Sequence, residues 1–349
     1  MLRIFTPPFS LRSGNDVVGP RTAEMFRSGG VEAKHQETCP DWIAGLLNSG
    51  KIPLGRRIYR RLVMPASATV AARSVAEGDR AWFLEPAIPL SGSTRIEESI
   101  KRRGARYIFH VMDDWFSIPY LKDRTVRLCR LADLVVVPTP ALLDRVQEMA
   151  PGTRVVQLEE PIDVDRVRPL RPTRSPDLPV VIWCGGPLNM RFLDIIQAPL
   201  EQAAREIPFQ LRIVSGLEPR GLALEVDWEW KKYDYQHESE LLAGGVCGLA
   251  PLEDYPYARC KGAYKIKTYF AAGLPVIASP VGYQNQLVSD GENGFFCQSA
   301  DEWTDCLLEL LRNQAGAARL SCNARKAAEN LYSHNAVCKS WCDAIEFLQ

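Results

Sequence analysis

Residues 259–297 read RCKGAYKIKTYFAAGLPVIASPVGYQNQLVSDGENGFFC, and this stretch decides the fold. Strong helix formers over residues 263–272 predict a helix, Gly273 suits its left-handed exit, and Pro275 prevents its continuation. The apolar residues 276–278 then predict a short buried strand. A helix followed at once by a buried strand is typical of α/β domains.

Two lysines and a threonine fall together on the predicted helix. At helical spacing Lys261, Lys265 and Thr268 lie on one face. Cations in a first turn oppose the positive end of the helix dipole by about 0.3–1 kcal/mol each. A bound anion reverses this effect, and Gly262 lets a diphosphate approach the backbone N–H groups closely. The alternative is a solvated basic helix face with no ligand.

The composition limits the classes of protein to consider. The 349 residues predict two domains, and 42 Lys and Arg balance 42 Asp and Glu, so no overall field recruits nucleic acid. The ten Cys residues show no C-x-x-C pair or zinc-like spacing, which indicates reduced thiols in the cytoplasm. No apolar run reaches the roughly 18 residues of a membrane span, and Pro7 and Pro8 interrupt the place of a signal peptide. We therefore expect neither export nor a transmembrane segment.

Short apolar runs alternate with helical patterns along the rest of the chain. In the first half, strands are predicted at residues 2–5, 81–84, 107–112 and 155–158. The Pro-rich, charged run that follows has the composition of an interdomain linker. We predict an N-terminal domain over residues 1–165, a second domain over 166–334 and a C-terminal helix over 335–349.

Three polar residues follow the predicted strand 107–112. His110, Asp113 and Asp114 lie at or beyond its carboxyl end, where ligands bind in open α/β sheets. We expect His110 to contact a ligand there, and Asp113 or Asp114 to orient a hydroxyl group or accept its proton. The alternatives are that Asp114 caps the next helix and that His110 is a buried, neutral side chain.

A basic amphipathic segment occupies residues 51–63. It places four arginines beside apolar residues: Arg56, Arg57, Arg60 and Arg61. Such a segment is typical either of a helix docked on an anionic membrane or of a solvated helix with one core face. Peripheral contact with an anionic membrane is therefore one of two open interpretations.

The string K-x-x-x-K-x-x-x-Y-x-A-A-G-L-P-V-I-A-S-P-V-G, followed by SDGENGFF, resembles the donor-binding half of retaining glycosyltransferases of family four, the group 1 glycosyl transferases. More narrowly it resembles a bacterial branch with a PL-x-D strand end followed by KC-x-x-K. The similarity covers roughly the whole chain, most specifically residues 249–333. It implies the GT-B fold, in which two doubly wound α/β domains face each other and a C-terminal helix crosses back to the first.

The resemblance also implies an activity. The protein would move a sugar from a nucleoside-diphosphate sugar to an acceptor hydroxyl with retention, in polysaccharide, glycolipid or glycosylated-metabolite synthesis. The acceptor would be a sugar, a lipid-linked molecule or a small molecule. His110 would contact the donor sugar, and Asp113 or Asp114 would orient the acceptor hydroxyl or accept its proton. Lys261, Lys265 and Arg191 would stabilise the departing diphosphate, so neither a metal ion nor another cofactor is expected.

Further donor contacts follow from the same resemblance and from the residues themselves. Gly185 and Gly186 end the first strand of the second domain and allow backbone approach, and Gly14 and Asn15 lie in the first loop. Trp230 is a candidate for stacking on a nucleobase, with core packing as the alternative. All of these residues, with Gly262 and Thr268, are predicted donor contacts.

One departure from the family pattern concerns the residues that hold the ribose of the nucleotide. Family members commonly carry two Glu residues with seven between them, and Cys260 and Thr268 stand at those positions here. Ribose recognition must therefore differ. Two alternatives remain: a disaccharide-phosphate synthase or phosphorylase on the same fold, and a non-catalytic subunit that only binds a nucleotide sugar.

Overall fold

The structure is a computed structural model that divides into two compact units. It describes residues 1–8, 19–48, 51–88, 93–171, 177–346 and 348, so the predicted contacts Gly14 and Asn15 lie outside the described residues. The first unit comprises Met1–Glu159 with Val337–Gln349, and the second comprises Glu160–Ala336. The chain passes between them close to the Pro-rich run, where the sequence placed a linker.

The first unit alternates strands and helices. Its elements in chain order are β1 (Leu2–Thr6), α1 (Pro20–Ser28), β2 (Ala33–Glu37), α2 (Asp41–Asn48), α3 (Gly55–Ile58), a π-helical turn (Tyr59–Val63), α4 (Met64–Arg73), β3 (Arg80–Phe83), α5 (Arg95–Arg102), β4 (Arg106–His110), a 3₁₀ turn (Trp115–Ser117), α6 (Pro119–Leu131), β5 (Leu134–Val137), α7 (Pro140–Met149) and β6 (Val155–Gln157).

The second unit repeats the pattern. Its elements are β7 (Val180–Cys184), a 3₁₀ run (Pro187–Ile196), α8 (Gln197–Glu206), β8 (Gln210–Ser215), β9 (Asp227–Lys232), a 3₁₀ turn (Tyr235–His237), α9 (Glu238–Leu242), β10 (Gly245–Ala250), α10 (Pro256–Arg259), α11 (Tyr264–Ala271), β11 (Val276–Ala278), α12 (Gln284–Leu287), β12 (Gly294–Phe296), α13 (Ala300–Arg312), α14 (Gln314–Ala327) and a π-helical turn (Ala328–Tyr332). The last helix is α15 (His334–Glu346).

Each unit contains one parallel sheet. Among the described residues the strand orders are β2-β1-β3-β4-β5-β6 and β12-β11-β10-β7-β8-β9, with six strands each. Central strands such as β5 and β7 are buried at every position, as expected for sheets covered on both faces. The prediction of two doubly wound α/β domains is confirmed.

Three of the four edge strands were not predicted: β2, β9 and β12. The sequences of β2 and β9, AKHQE and DWEWKK, carry charges and are half-buried or exposed at most positions. Because an edge strand has a neighbour on one side only, it does not need the apolar run by which a central strand is recognised. These strands are therefore specified by pairing with the strand beside them.

An aromatic cluster forms the centre of the first unit. Trp82 of β3 stacks on Trp341 of α15 with ring centroids 5.1 Å apart, and Phe26 of α1 packs against both. The indole N–H of Trp341 donates to the carbonyl oxygen of Glu159 at 2.8 Å. Residues from the C-terminus of the chain thus complete the core of the first unit.

Arg325 secures the helix that carries the predicted donor motif. Its guanidinium donates to the carbonyl oxygens of Ala271, at the end of α11, and of Val164 and Val167, at 2.5–3.1 Å. Carbonyls at a helix C-terminus need such donors because the helix itself supplies none. This arrangement fixes α11 against the start of the second unit.

Candidate functional site

The strand order of the second unit places a switch point between β7 and β10. Strand β7 comes first along the chain, and the next strand β8 lies on one side of it while β10 lies on the other. Ligands of open α/β sheets bind outside the carboxyl ends of the strands at such a point. The candidate site therefore lies beyond Cys184 and Ala250, where these two strands end.

Tyr269 of α11 bridges the two strands at this point. Its hydroxyl accepts a hydrogen bond from the Cys184 N–H at 2.7 Å and donates to the Leu249 carbonyl at 3.2 Å. The β7–β10 ladder ends at the pair Ile182 and Gly248, and a Cβ on Gly248 would lie 2.4 Å from the tyrosine ring. The Tyr269 hydroxyl thus links the two strands by hydrogen bonds where their main-chain hydrogen bonding ends.

We expect Tyr269→Phe to lower the free energy of unfolding by about 1–3 kcal/mol, because the buried Cys184 N–H would lose its acceptor. Urea unfolding followed by circular dichroism would measure this. Tyr120→Phe is the matched control, since Tyr120 is 73% exposed. Equal stability of the two variants would show that the bridging hydroxyl does not hold the strand ends.

Lys265 lies one helical turn before Tyr269 on α11. Its ammonium is 4.8 Å from the centroid of the Trp183 ring and 3.5 Å from where a Cβ on Gly185 would lie. Burial lowers the pKa of Lys265 to about 8; Cys184 opposes this shift and the charge of Lys261 adds to it. The structure thus brings Lys265 and Gly185, both predicted, together at the switch point.

The backbone after β7 leaves room for a ligand. A Cβ on Gly185 would come within 2.8 Å of the Trp183 ring, so a side chain does not fit there. A Cβ on Gly186 would meet only the amide nitrogen of Asn189, at 3.8 Å. The Gly-Gly turn therefore lets the backbone come close to a group held by Lys265.

A second group of cations lies on an aromatic pair. The Lys261 ammonium is 4.8 Å from the ring centroid of Tyr257, which stacks on Tyr255 at 6.4 Å. Arg191 donates to the Tyr255 hydroxyl at 2.9 Å.

In the part of the chain that the structure describes, neither Lys261 nor Lys265 has an ion pair, whereas Arg259 pairs with Asp254 at 2.6 Å. Because their positive charges are not compensated by a carboxylate, Lys261 and Lys265 are suited to binding an anion.

The helix start differs from the prediction. Helix α11 begins at Tyr264 after Ala263, which has φ +50° and offers no side-chain cap. Lys261 therefore precedes the helix rather than lying in its first turn, and Thr268 is 3% exposed. The predicted stripe of Lys261, Lys265 and Thr268 is thus wrong as a helical face, although Lys261 still acts on the pKa of Lys265. The N–H of Ile266 donates to the Ala263 carbonyl oxygen at 2.9 Å, so the uncapped helix start leaves the N–H groups of Tyr264 and Lys265 for an anion.

Trp230 lies on the edge strand β9. Its indole N–H donates to the Ser215 carbonyl at 3.3 Å, and the half-buried ring packs on the hydrophobic core of the second unit. These contacts are those of the core-packing alternative. A role in stacking on a nucleobase stays a prediction.

In the first unit, His110 lies at the end of β4 and is fully buried. Its ring is 6.0 Å from that of Trp82 and 6.2 Å from that of Trp341. Burial lowers the pKa of His110 to about 3, so the imidazole is neutral at physiological pH. The contacts match the alternative of a buried neutral histidine.

The two acidic residues after β4 differ in burial and in hydrogen bonding. Asp114 is 1% exposed and caps the 3₁₀ turn by accepting from the N–H of Ser117 at 3.3 Å and from its hydroxyl. Arg145 lies 3.6 Å from the same carboxylate. Asp113 is half-buried. The capping alternative therefore describes Asp114, and Asp113 is the accessible member of the pair.

A buried ion pair beside the site was not predicted. Glu238 of α9 is 4% exposed and pairs with Arg166 at 2.8 Å, and the guanidinium lies 3.7 Å from the ring centroid of Tyr235. Burial raises the pKa of Glu238 against the attraction of Arg166. Burial together with the charge of Glu238 also raises the pKa of Tyr264, the first residue of α11. The sequence signal was weak, because Glu is common in the first turn of any helix.

Two further properties concern the described residues only. None of their helices is both long and apolar enough to cross a membrane. Nor do they contain a cluster of three or more His, Cys, Asp or Glu side chains arranged to hold a metal ion.

Comparisons with known proteins bear on both units. Residues 180–313 match the model of the family "Glycosyl transferases group 1". Glucosyltransferase 3 of Streptococcus parasanguinis is 22% identical over 194 residues, which cover 52% of each chain. The chain thus spans about half the length of this curated relative.

Solved structures resemble the whole chain. Sucrose-phosphate synthase from Thermosynechococcus elongatus has a TM-score of 0.68 at 16% identity, covering 100% of this chain and 99% of that one. HepE of Anabaena in complex with UDP-glucose has a TM-score of 0.66 at 16% identity, covering 99% and 100%. TarM of S. aureus, in complex with Fondaparinux, α-GlcNAc-glycerol and UDP, has a TM-score of 0.62 at 13% identity, covering 80% and 58%. The chain therefore has the GT-B fold of these structures, and its residues 180–313 are similar to the group 1 glycosyl transferases.

Proposed function

We propose that this protein transfers a sugar from a nucleoside-diphosphate sugar to an acceptor hydroxyl, with retention, as a member of glycosyltransferase family four. The observation that carries the proposal is the Lys265 ammonium, which lies without an ion pair among the described residues at the β7–β10 switch point, beside Gly185. UDP is the proposed nucleotide, because the related structures of HepE and TarM were solved with UDP or UDP-glucose.

In this proposal the second unit holds the diphosphate. Lys265, protonated, binds the phosphate next to the bond that breaks, and Lys261 and Arg191 neutralise the remaining charge. The first N–H groups of α11 complete the anion site. As the glycosidic bond breaks, negative charge grows on the departing oxygen, and a preorganised cation stabilises the transition state more than the ground state.

We assign acceptor recognition to the first unit by family resemblance. Asp113 is the residue there that we propose to accept or orient the acceptor proton, since it is half-buried at the carboxyl end of β4. His110 and Asp114 would then shape this strand end from the inside, through the contacts given above.

A nucleotide-sugar panel tests the proposal. We expect UDP-glucose or another UDP-sugar to raise the unfolding temperature of the purified chain more than GDP-, dTDP-, ADP- or CDP-sugars do, because ligand at a hundred times its Kd adds about 2.7 kcal/mol to stability. Slow donor hydrolysis should accompany binding. Binding without hydrolysis or transfer would favour the non-catalytic subunit, and transfer only to a sugar phosphate would favour the synthase. No shift with any donor would overturn the proposal.

The lowered pKa of Lys265 predicts a pH dependence of UDP binding. Below pH 8 the Lys265 ammonium is charged. Above pH 8 Lys265 is largely deprotonated in the free protein, so diphosphate binding requires the uptake of a proton. We therefore expect Kd to rise with pH above about 8, by at most tenfold per pH unit. Calorimetric titration from pH 7 to 9.5 would measure this. Lys265→Arg is the control, since arginine stays charged and should give a nearly flat profile. Equal slopes for both proteins would contradict the assignment.

We also propose that no metal ion takes part, because Lys265, Lys261 and Arg191 supply the positive charge that a divalent cation would otherwise bring. Sugar transfer should then be unchanged by EDTA. The measurement is the rate of UDP release with and without chelator. Loss of activity that Mg²⁺ or Mn²⁺ restores would contradict this prediction.

A further inference from the structure

A helical region of the first unit has one face anchored and one face exposed. Helix α3, the π-helical turn and α4 run continuously from Gly55 to Arg73. The side facing the unit is buried at Gly55, Tyr59, Met64 and Ala68. The five-residue step from Tyr59 to Met64 falls at the π-helical turn, which keeps both side chains on the buried side.

A face beside the buried one carries exposed apolar side chains. Leu54, Ile58 and Leu62 are spaced four residues apart and are 65%, 39% and 66% exposed. Eleven large hydrophobic side chains are exposed among the described residues, and six of them lie between residues 42 and 70: Trp42, Leu46, Leu54, Ile58, Leu62 and Val70. Exposed apolar side chains concentrated in this way indicate an interaction surface.

The same region has a one-sided charge. From Trp42 to Ala76 the sequence contains no Asp or Glu, whereas it contains six cations: Lys51, Arg56, Arg57, Arg60, Arg61 and Arg73. The four arginines of residues 56–61 are exposed and have no ion pair among the described residues. Because the whole chain is balanced at 42 positive and 42 negative residues, this positive charge is a local feature.

We infer that residues 54–62, together with Trp42 of the neighbouring helix α2, form a docking surface for an anionic phospholipid membrane. The leucine and isoleucine side chains enter the boundary between headgroups and acyl chains, and the arginines bind the lipid phosphates. Tryptophan favours the same interfacial depth. A soluble polyanion would use the arginines but would leave Leu54, Ile58 and Leu62 in water, so the combination favours a bilayer. This inference stands independently of the sugar-transfer proposal.

Sedimentation of the full chain with vesicles tests the inference. The vesicles are phosphatidylcholine with or without about one third phosphatidylglycerol, at low salt. We expect binding to the anionic vesicles alone, and a loss of at least tenfold in the partition coefficient for Arg57→Glu with Arg61→Glu. Lys326→Glu with Arg130→Glu changes the net charge equally at exposed positions elsewhere and should bind as the wild type does.

A second variant separates a membrane from any other polyanion. Leu54→Ser with Leu62→Ser keeps every charge, and these exposed side chains contribute little to folding, which the unfolding temperature would check. We expect at least a tenfold loss of vesicle binding. If this variant binds vesicles as the wild type does, the surface is a general polyanion site and the inference is wrong. Absence of wild-type binding to anionic vesicles at low salt would equally overturn it.

Discussion

Lys265→Met is expected to lower turnover by roughly a hundredfold to a thousandfold while weakening UDP-sugar binding far less. The loss corresponds to about 2.7–4 kcal/mol of transition-state stabilisation, the usual cost of removing one preorganised group from a developing charge. The physical reason is that charge on the departing phosphate oxygen grows as the sugar bond breaks, so the ammonium interacts with the transition state more strongly than with the bound donor.

The unliganded protein should respond in the opposite direction. Because burial lowers the pKa of Lys265 to about 8, the charged ammonium destabilises the folded state below that pH, and a neutral methionine removes this effect. Lys265→Met should therefore unfold at the same or a higher temperature than the wild type. A site residue with a structural role would instead lose stability along with activity.

Steady-state kinetics and thermal unfolding on the same preparations would measure both effects. Arg259→Met is the matched control, because Arg259 lies in the same stretch but forms an exposed ion pair with Asp254, which is worth little. It should keep its turnover within about twofold. A fully active Lys265→Met protein would show that the lysine is only a basic side chain on a helix.

Glu238→Gln is expected to cost the largest amount of stability, about 3–5 kcal/mol. The amide is nearly isosteric with the carboxylate, but it leaves the mostly buried guanidinium of Arg166 without its counter-charge. Unfolding in urea would measure the loss. Glu240→Gln is the matched control, since Glu240 lies on the same helix and is exposed.

A double-mutant cycle separates the ion pair from other effects of the substitution. Once Arg166→Met has removed the buried cation, Glu238→Gln should cost much less than it does alone. Additive losses would show that the two side chains act independently.

The local sequence pattern was enough to predict α11, β11 and the turn after β7. Strand β11 was predicted with its observed bounds, and the helix before it was predicted to within one residue at each end. Both follow from apolar runs and from Gly273 and Pro275, which act over a few residues. The Gly-Gly turn after β7 was found for the same reason.

The parts that the sequence left open depend on tertiary contacts. Tyr269 lies among apolar helix residues, and only the meeting of β7 and β10 makes its hydroxyl a bridge between strands. Glu238 and Arg166 are 72 residues apart, so their pairing has no local signal. The role of Asp114 as a cap rather than a free carboxylate likewise depends on Ser117 and Arg145.

A structure of the complex with UDP would show directly whether Lys265 holds the diphosphate. We expect phosphate oxygens within about 2.7–3.2 Å of the Lys265 ammonium, beyond the carboxyl ends of β7 and β10 and against Gly185 and Gly186. The contrary result would be UDP bound elsewhere with Lys265 uninvolved, for example in the open groove lined by Leu178, Gly245, Leu310 and Ser321.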